Sequence, residues 1–418
     1  MDVAFIVVAF MNLAFVLGLL LNLGGLLTWV ERKQGAVMAN RIGANRAYIP
    51  LPVGRDPNGA GGFKWTKRFT LMGLFHAIND GVKMLTKENF TPPFVDKAVY
   101  NLAVWFSAVP VLVTFAVIPF GGPFQPGVMM ADIFGTVGLT GVATTLHDFF
   151  GDGVYHMQLA NLNVGLLFVF AIGSTGIFSA ALGGWASNNK FSLMGALRSS
   201  SQMISYEVFM GMAILGLLVI YGTVDMNEIA QMQGESWALG PLSIPKWGVF
   251  LQPHMFFIFM TALMAENKRV PFDMPEAESE LVAGYFTEYT GMKMGLFMMT
   301  EFLEVAVIAG IVTTLFFGAY HIPGVVAATD YWYWAQHPDL MPTNAIFGMA
   351  VPHALIIVAR VGAFLLKVVF FCWLQILIRW TLPKFRYDQV MRLGWKYMLP
   401  ISIVNLIVTA GVVLALGG

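Results

Sequence analysis

The sequence predicts an all-α, polytopic integral membrane protein. It has eight transmembrane helices and one amphipathic interfacial helix, forming a single membrane domain over residues 1–418. Three observations predict this. The chain is 57% hydrophobic and 11% charged, with 35 phenylalanines, which is too apolar for a water-soluble domain. Eight apolar segments approach the roughly 20 residues a helix needs to cross a bilayer: 3–30, 98–121, 163–183, 202–221, 249–266, 294–317, 353–378 and 397–416. Finally, lysine and arginine alternate strictly between the connections that join them.

In chain order, the N-terminal MDVAFIVVAF lacks a positive leader and runs straight into a long apolar span. It reads as an uncleaved first helix and not a signal peptide. The first connection (31–97) is too long to be a mere loop. Within it, YIPLPVGRDPNGAGGFKWTK (48–67) reads as an irregular loop from its glycines and prolines. LMGLFHAINDGVKML (71–85) is amphipathic and too short to cross, so it is expected at the membrane interface. The second connection (122–162) is long, carries no Lys or Arg, and is expected to be partly helical. Glycine and proline inside the spans are no objection, because membrane helices tolerate both. The fifth span is the shortest. There is no internal repeat.

The first connection holds eleven Lys/Arg, the third (184–201) two, the fifth (267–293) three and the seventh (379–396) five, which is 21 of 24. The second and sixth hold none, and the fourth holds only Lys246. By the positive-inside rule the odd-numbered connections face the cytoplasm and both termini face the other side.

Zero net charge and the absence of a basic run argue against nucleic-acid binding. One cysteine, Cys372, cannot make an intrachain disulfide, a zinc site or an iron–sulfur cluster within this chain. His147, His156, His321 and His337 fall in outer connections, His254 and His353 at outer ends of spans, and His76 on the interfacial helix. Haem ligation would need facing histidines deep in the bundle. The expectation is therefore no metal and no cofactor bound by this chain, with any electrons brought by other subunits.

The charge the chain does carry is concentrated. AENKRVPFDMPEAESELVAGYFTEYTGMK (265–293) holds Glu266, Asp273, Glu276, Glu278, Glu280 and Glu288, a quarter of the 24 acids, beside Lys268, Arg269 and Lys293. Asp273 with Glu276 matches a capping box, with Pro275 in the first helical turn. That pattern does not account for the remaining acids. Glu276 and Glu280, at i,i+4, repel each other unless one is protonated or a cation sits nearby, and such crowding raises carboxyl pKa values. Inside spans lie Glu207, the i,i+3 pair Glu301 and Glu304, and Arg360 with Lys367 at i,i+7. Each charge at a span centre costs roughly 2.5–3.5 kcal/mol on insertion scales. The plain reading is pairing that holds the bundle together; the functional one is a buried polar axis that moves protons. WVERKQGAVMANRIGANRA (29–47) ends the first helix. Lys33 reads as a positive anchor, whereas Glu31 gains nothing from topology.

These strings also carry a resemblance. VERK with RIGAN, DGVKMLTKE (80–88), GWASNNKFSLMGALRSSSQMISYE (183–207), the 265–293 string and RWTLPKFRYDQVMRLGWKYMLP (379–400) occur in one order. In them the chain resembles the H-subunit family of bacterial NADH–quinone oxidoreductase, respiratory complex I, homologous to the mitochondrial ND-one subunit. It departs from that family at Ala44, where proline is usual, and at Ala39, where glutamine is common. Its 48–67 and 122–162 connections are longer than usual.

The resemblance implies a multi-pass subunit of the bacterial cytoplasmic membrane that couples quinone reduction to proton translocation. It implies a quinone chamber matched by Glu31, Arg32, Arg41, Arg46, Asp80, Arg269 and Phe272. It further implies an acidic passage matched by Glu207, Glu266, Asp273, Glu276, Glu278, Glu280, Glu288 and Glu301, with 273–280 moving as quinone is reduced. Quinone is then the substrate, and FMN and iron–sulfur clusters reside in partner subunits. Partners are hydrophilic iron–sulfur and quinone-site subunits, small membrane subunits, antiporter-like subunits and lipid. The alternatives are the equivalent subunit of a membrane-bound hydrogenase or other-donor dehydrogenase, and a stand-alone ion transporter, which an inverted repeat would favour.

Overall fold

The computed structural model describes residues 3–55, 63–136, 139–151, 153–239, 242–275, 278–322, 345–346, 349–350 and 353–416. Among these, seven helical stretches are long and apolar enough to cross a bilayer. They are α1 (Val3–Met38), α3 (Lys97–Phe115), the pair α6 (Gly165–Ser174) and α7 (Ile177–Ala186), α8 (Lys190–Tyr221), α13 (Gly291–Phe316), α14 (His353–Thr381) and the stretch from α15 (Tyr387–Arg392) to α16 (Leu399–Leu416). Shorter helices are α2 (Phe75–Thr86), α4 (Pro126–Thr136), α5 (Thr140–Phe150), α9 (Met226–Met232), α10 (Gly248–Leu251), α11 (Pro253–Glu266) and α12 (Glu278–Leu281).

The expected fifth span is α10 and α11, broken at Gln252 because Pro253 has no amide to continue the ladder. At 14 residues α11 is ~21 Å long, short of a ~30 Å hydrocarbon core. By length and composition it does not rank with the other seven.

α13 is the most enclosed span and packs against α1, α3 and α14. On α1 the buried residues Val8, Asn12, Val16, Leu20 and Gly24 recur every fourth position, giving one stripe toward the bundle. A Cβ at Gly24 would meet Leu303 and Met299 of α13 at 3.0 Å, so glycine lets the two helices approach there. α8 packs against α7, α11 and α16. It starts twelve residues before the predicted 202–221 span, because Asn189 caps it through Phe191 N at 3.0 Å. The polar 190–201 stretch stays helical: Ser200 and Ser201 return their hydroxyls to the carbonyls of Ala196 and Leu197. Glu207 therefore sits past the middle of a 32-residue helix and not one turn from its start.

Three further expectations change. The 48–67 segment is not an irregular loop: β1 (Ile49–Arg55) and β2 (Phe63–Phe69) pair antiparallel, with register shifts on either side of Pro52. The 71–85 helix is α2, Phe75–Thr86, after one 3-10 turn at Leu71–Gly73, and it leaves Ile78, Val82 and Leu85 exposed along one stripe. Met274 and Pro275 form a turn, so Pro275 is not in the first helical turn that the 273–276 spacing suggested, and the Glu276 half of that pattern lies outside the described residues. The 122–162 connection is partly helical, as expected, through α4 and α5.

Candidate functional site

The site is organised by the turn that follows α11. Lys268 takes a left-handed conformation, φ 58°, which ends the helix and brings Asn267, Lys268 and Arg269 inward in succession. Gln202 of α8, fully buried, fixes the turn by donating one amide nitrogen to Ala265 O at 2.6 Å and Phe272 O at 2.9 Å. From the far side, Phe385 N donates to Pro271 O at 3.0 Å.

Arg269 is the bridge. Its guanidinium donates to Glu31 Oε2 at 3.0 Å, lies 3.6 Å from Glu301 Oε2, and stacks over Phe302 at 4.0 Å. The other Glu31 oxygen meets Arg379 at 2.5 Å. α1, the turn, α13 and the end of α14 are thereby tied together by one carboxylate–guanidinium chain. A buried arginine suits this role, because it forks between two acids without losing its charge. One turn along α13, Glu304 Oε1 lies 3.8 Å from Lys268 Nζ. With its nitrogen turned toward them, the Asn267 amide donates to Glu304 Oε2 and to Glu301 O, both at 3.2 Å.

Beneath Asn267 is a cavity of about 60 Å³, whose wall includes Glu266, Asn267, Glu304, Thr114 and Gly173. Glu266 lies within electrostatic range of Glu207 and Glu304, and Glu207 hydrogen-bonds Ser174 of α6. Acids and bases from α1, α8, α11, α13 and the turn thus form a row: Glu31, Arg269, Glu301, Glu304 with Lys268, Glu266 and Glu207. Carboxyls so arranged can hold and exchange protons, while Arg269 keeps its charge.

The remaining predicted residues fall elsewhere. Arg32 pairs with Asp80 of α2 on the exposed side of α1, and Arg41 is exposed. The backbone amides of Arg46 and Ala47 both donate to His76 Nε2 at 3.1 Å. Phe272 is buried between Tyr206 and Phe385, with ring centroids 5.5 and 5.7 Å away. Asp273 pairs with Lys384 at 3.6 Å, and Glu280 with Arg198 at 2.6 Å. That hydrogen bond from Arg198 holds the Glu280 carboxyl below the usual carboxylate range, the reverse of the rise expected from acid crowding. Glu288 accepts from Asn189 Nδ2 at 2.8 Å, while its carbonyl accepts from Tyr100. Glu276 lies outside the described residues. Glu278 opens α12, but its side chain lies outside them too.

Lys367 lies apart from this row, past the far end of α13. Lys367 donates its three ammonium protons to Phe317 O, Ala319 O and His321 O at 2.7, 2.9 and 2.7 Å, beyond the C-terminal end of α13. Arg360 is buried over the Tyr320 ring. The five intramembrane charges therefore belong to two separate places. Sequence reasoning missed Gln202, Asn267 and Arg379 as site members, and the pairing of Lys268 with Glu304. Only Glu304 left a signal, its i,i+3 spacing from Glu301. Among the described residues, no group of three His, Cys, Asp or Glu is placed to hold a metal ion.

A family model described as NADH dehydrogenase matches residues 10–410. The chain is 35% identical over 387 residues to the NADH-quinone oxidoreductase H subunit 1 of Cytophaga hutchinsonii, covering 93% of this chain and 91% of that protein. It is 33% identical to the NADH-quinone oxidoreductase H subunit of Flavobacterium johnsoniae, over 99% of this chain and 97% of that one. It is 35% identical to the NADH-quinone oxidoreductase H subunit 2 of Koribacter versatilis, over 97% of each. With seven membrane-length helices and a match along nearly its whole length, the chain belongs to the NADH dehydrogenase family, as a relative of the H-subunit membrane proteins.

Proposed function

We propose that this chain is the membrane subunit of a proton-translocating NADH–quinone oxidoreductase that lines the quinone chamber and carries the acidic passage away from it. Its full-length relatives are named as H subunits of that enzyme, which favours this donor class over a hydrogenase-type complex. Partner subunits hold the FMN and iron–sulfur clusters, quinone is the substrate, and α11 completes an eight-span topology with the odd-numbered connections on the cytoplasmic side. The single observation that carries the reading is Arg269, buried and shared between Glu31 and Glu301. It links the end of α1, matched by resemblance to the chamber, to the acids inside the bundle.

In this reading the chain supplies position and charge. A neutral quinone that gains negative charge on reduction shifts the protonation of the nearest carboxylates. Arg269 passes that shift on, because weakening its hold on Glu31 strengthens its hold on Glu301. At the two ends of the 273–280 loop, which the resemblance implies moves as quinone is reduced, the Asp273–Lys384 and Glu280–Arg198 pairs respond from the other side.

The test is neutralisation inside the assembled complex. Glu207→Gln and Glu301→Gln keep volume and hydrogen-bonding capacity but cannot release a proton. Both are expected to slow NADH-driven proton uptake while leaving assembly intact, and the Asp variants to keep more activity than the Gln variants. Wild-type pumping in both Gln variants would end the passage reading.

A further inference from the structure

The cavity beneath Asn267 distinguishes between the two acids of α13. Glu304 is in its wall and Glu301 is not. The Glu301 carboxylate lies against Arg269, whereas Glu304 has one oxygen 3.8 Å from Lys268 and the other 3.2 Å from the Asn267 amide. Lys268 is only 3% exposed at its side chain, so its charge is met inside the bundle and not by bulk water. At 3.8 Å the pair is longer than the 2.7–2.9 Å of a short charge-assisted hydrogen bond, so the ion pair itself holds Glu304 less tightly than such a bond would. A cavity of about 60 Å³, walled in part by two carboxylates and an amide, has the volume and polar partners that water requires.

We propose that Glu304 is a further proton-carrying residue of this passage, taking a proton from the Glu301 side and handing it through cavity water to Glu266. This rests on the passage reading above. The step balances. A Glu304 oxygen gains a proton, then loses it to a cavity water, while that water gives one of its own to Glu266. Charge moves and nothing is oxidised. Lys268 stabilises the carboxylate between transfers.

A bracing role predicts that removing Glu304 harms only by stranding Lys268, so removing both partners should restore function. A proton-carrying role predicts that it should not. Glu304→Gln is expected to lower NADH-driven pumping in the assembled complex on the order of tenfold. The double variant Lys268→Met/Glu304→Gln is expected to assemble as well as wild type and to pump no faster than the single. Glu304→Asp should keep most of the rate. Wild-type pumping in the double variant would overturn the proposal. Ile308→Phe, which narrows the cavity and touches no charge, gives a second reading: slowed pumping in an intact complex supports the water step, and full pumping overturns it. If Glu207→Gln and Glu301→Gln are impaired while the Glu304 variants are normal, this inference alone fails. If all are normal, the passage reading fails with it.

Discussion

α13 touches two polar regions that are built differently. Near its middle, Glu301 and Glu304 face Arg269 and Lys268 at 3.6 and 3.8 Å beside a cavity. Past its end, Lys367 gives all three protons to backbone carbonyls at 2.7–2.9 Å. Gln233 next to it is equally committed, donating to Thr314 O at 2.7 Å and accepting from Gly318 N at 2.9 Å. His321, just beyond α13, is kept neutral to about pH 3 by burial and by the charges of Arg360 and Lys367. Asn12 likewise fills its amide with His156 O and Gln158 O. The second region satisfies fixed backbone groups and closes the fold. The first sets charge against charge with room to move. Buried polarity alone does not mark a functional site; what partners it, and how tightly, separates the two.

Removing the bridge should produce the largest effect. Arg269→Ala removes the guanidinium that Glu31 and Glu301 share, leaving Glu31 with Arg379, and is expected to cost about 3–5 kcal/mol, the range for breaking a buried ion pair. Thermal inactivation of the assembled complex reads this directly. If Arg269→Ala is no less stable than Lys384→Ala, at the half-exposed edge of the loop, the bridge does not hold the region together.

A smaller effect is expected at the Arg198–Glu280 pair. Glu280 is 44% exposed there, so Arg198→Ala should cost ~1 kcal/mol or less. Its signature is pH dependence. Because Arg198 depresses the Glu280 carboxyl, the contribution is full above the unfolded carboxylate value of about 4.3 and is lost as pH falls through the folded value. Protease cleavage near 278–281 should therefore be faster in Arg198→Ala than in wild type at pH 7, and the two should converge on acidification. A difference that persists in acid would mean that Arg198 acts through packing on Tyr387 or Met274 instead.

Seven of the eight expected spans were legible because hydropathy reports them, and so was the concentration of acids at 265–293. The long helix α8 was not, since the serines of 190–201 look polar in sequence while their hydroxyls are internally satisfied. The hairpin at 49–69 was hidden by prolines and glycines that its register shifts accommodate. The site itself was half legible. Glu301 and Glu207 stood out as charges inside apolar helices, but the Arg269–Glu31 bond joins residues 238 apart in sequence, and no local pattern reveals it. Arg360 and Lys367 looked equivalent to the acids because spacing shows which face a charge occupies and not what awaits it there.

If the charged row beside the cavity moves protons and the cap past α13 only holds the fold, one substitution in each should separate them. Glu301→Gln and Lys367→Met each remove one intramembrane charge, and the two complexes can be compared in proteoliposomes by protons pumped per NADH oxidised. Glu301→Gln is expected to lose pumping in an intact complex. Lys367→Met is expected to lower thermal stability yet keep wild-type pumping per assembled complex. Normal pumping in Glu301→Gln, or an equal loss in both, would contradict the account.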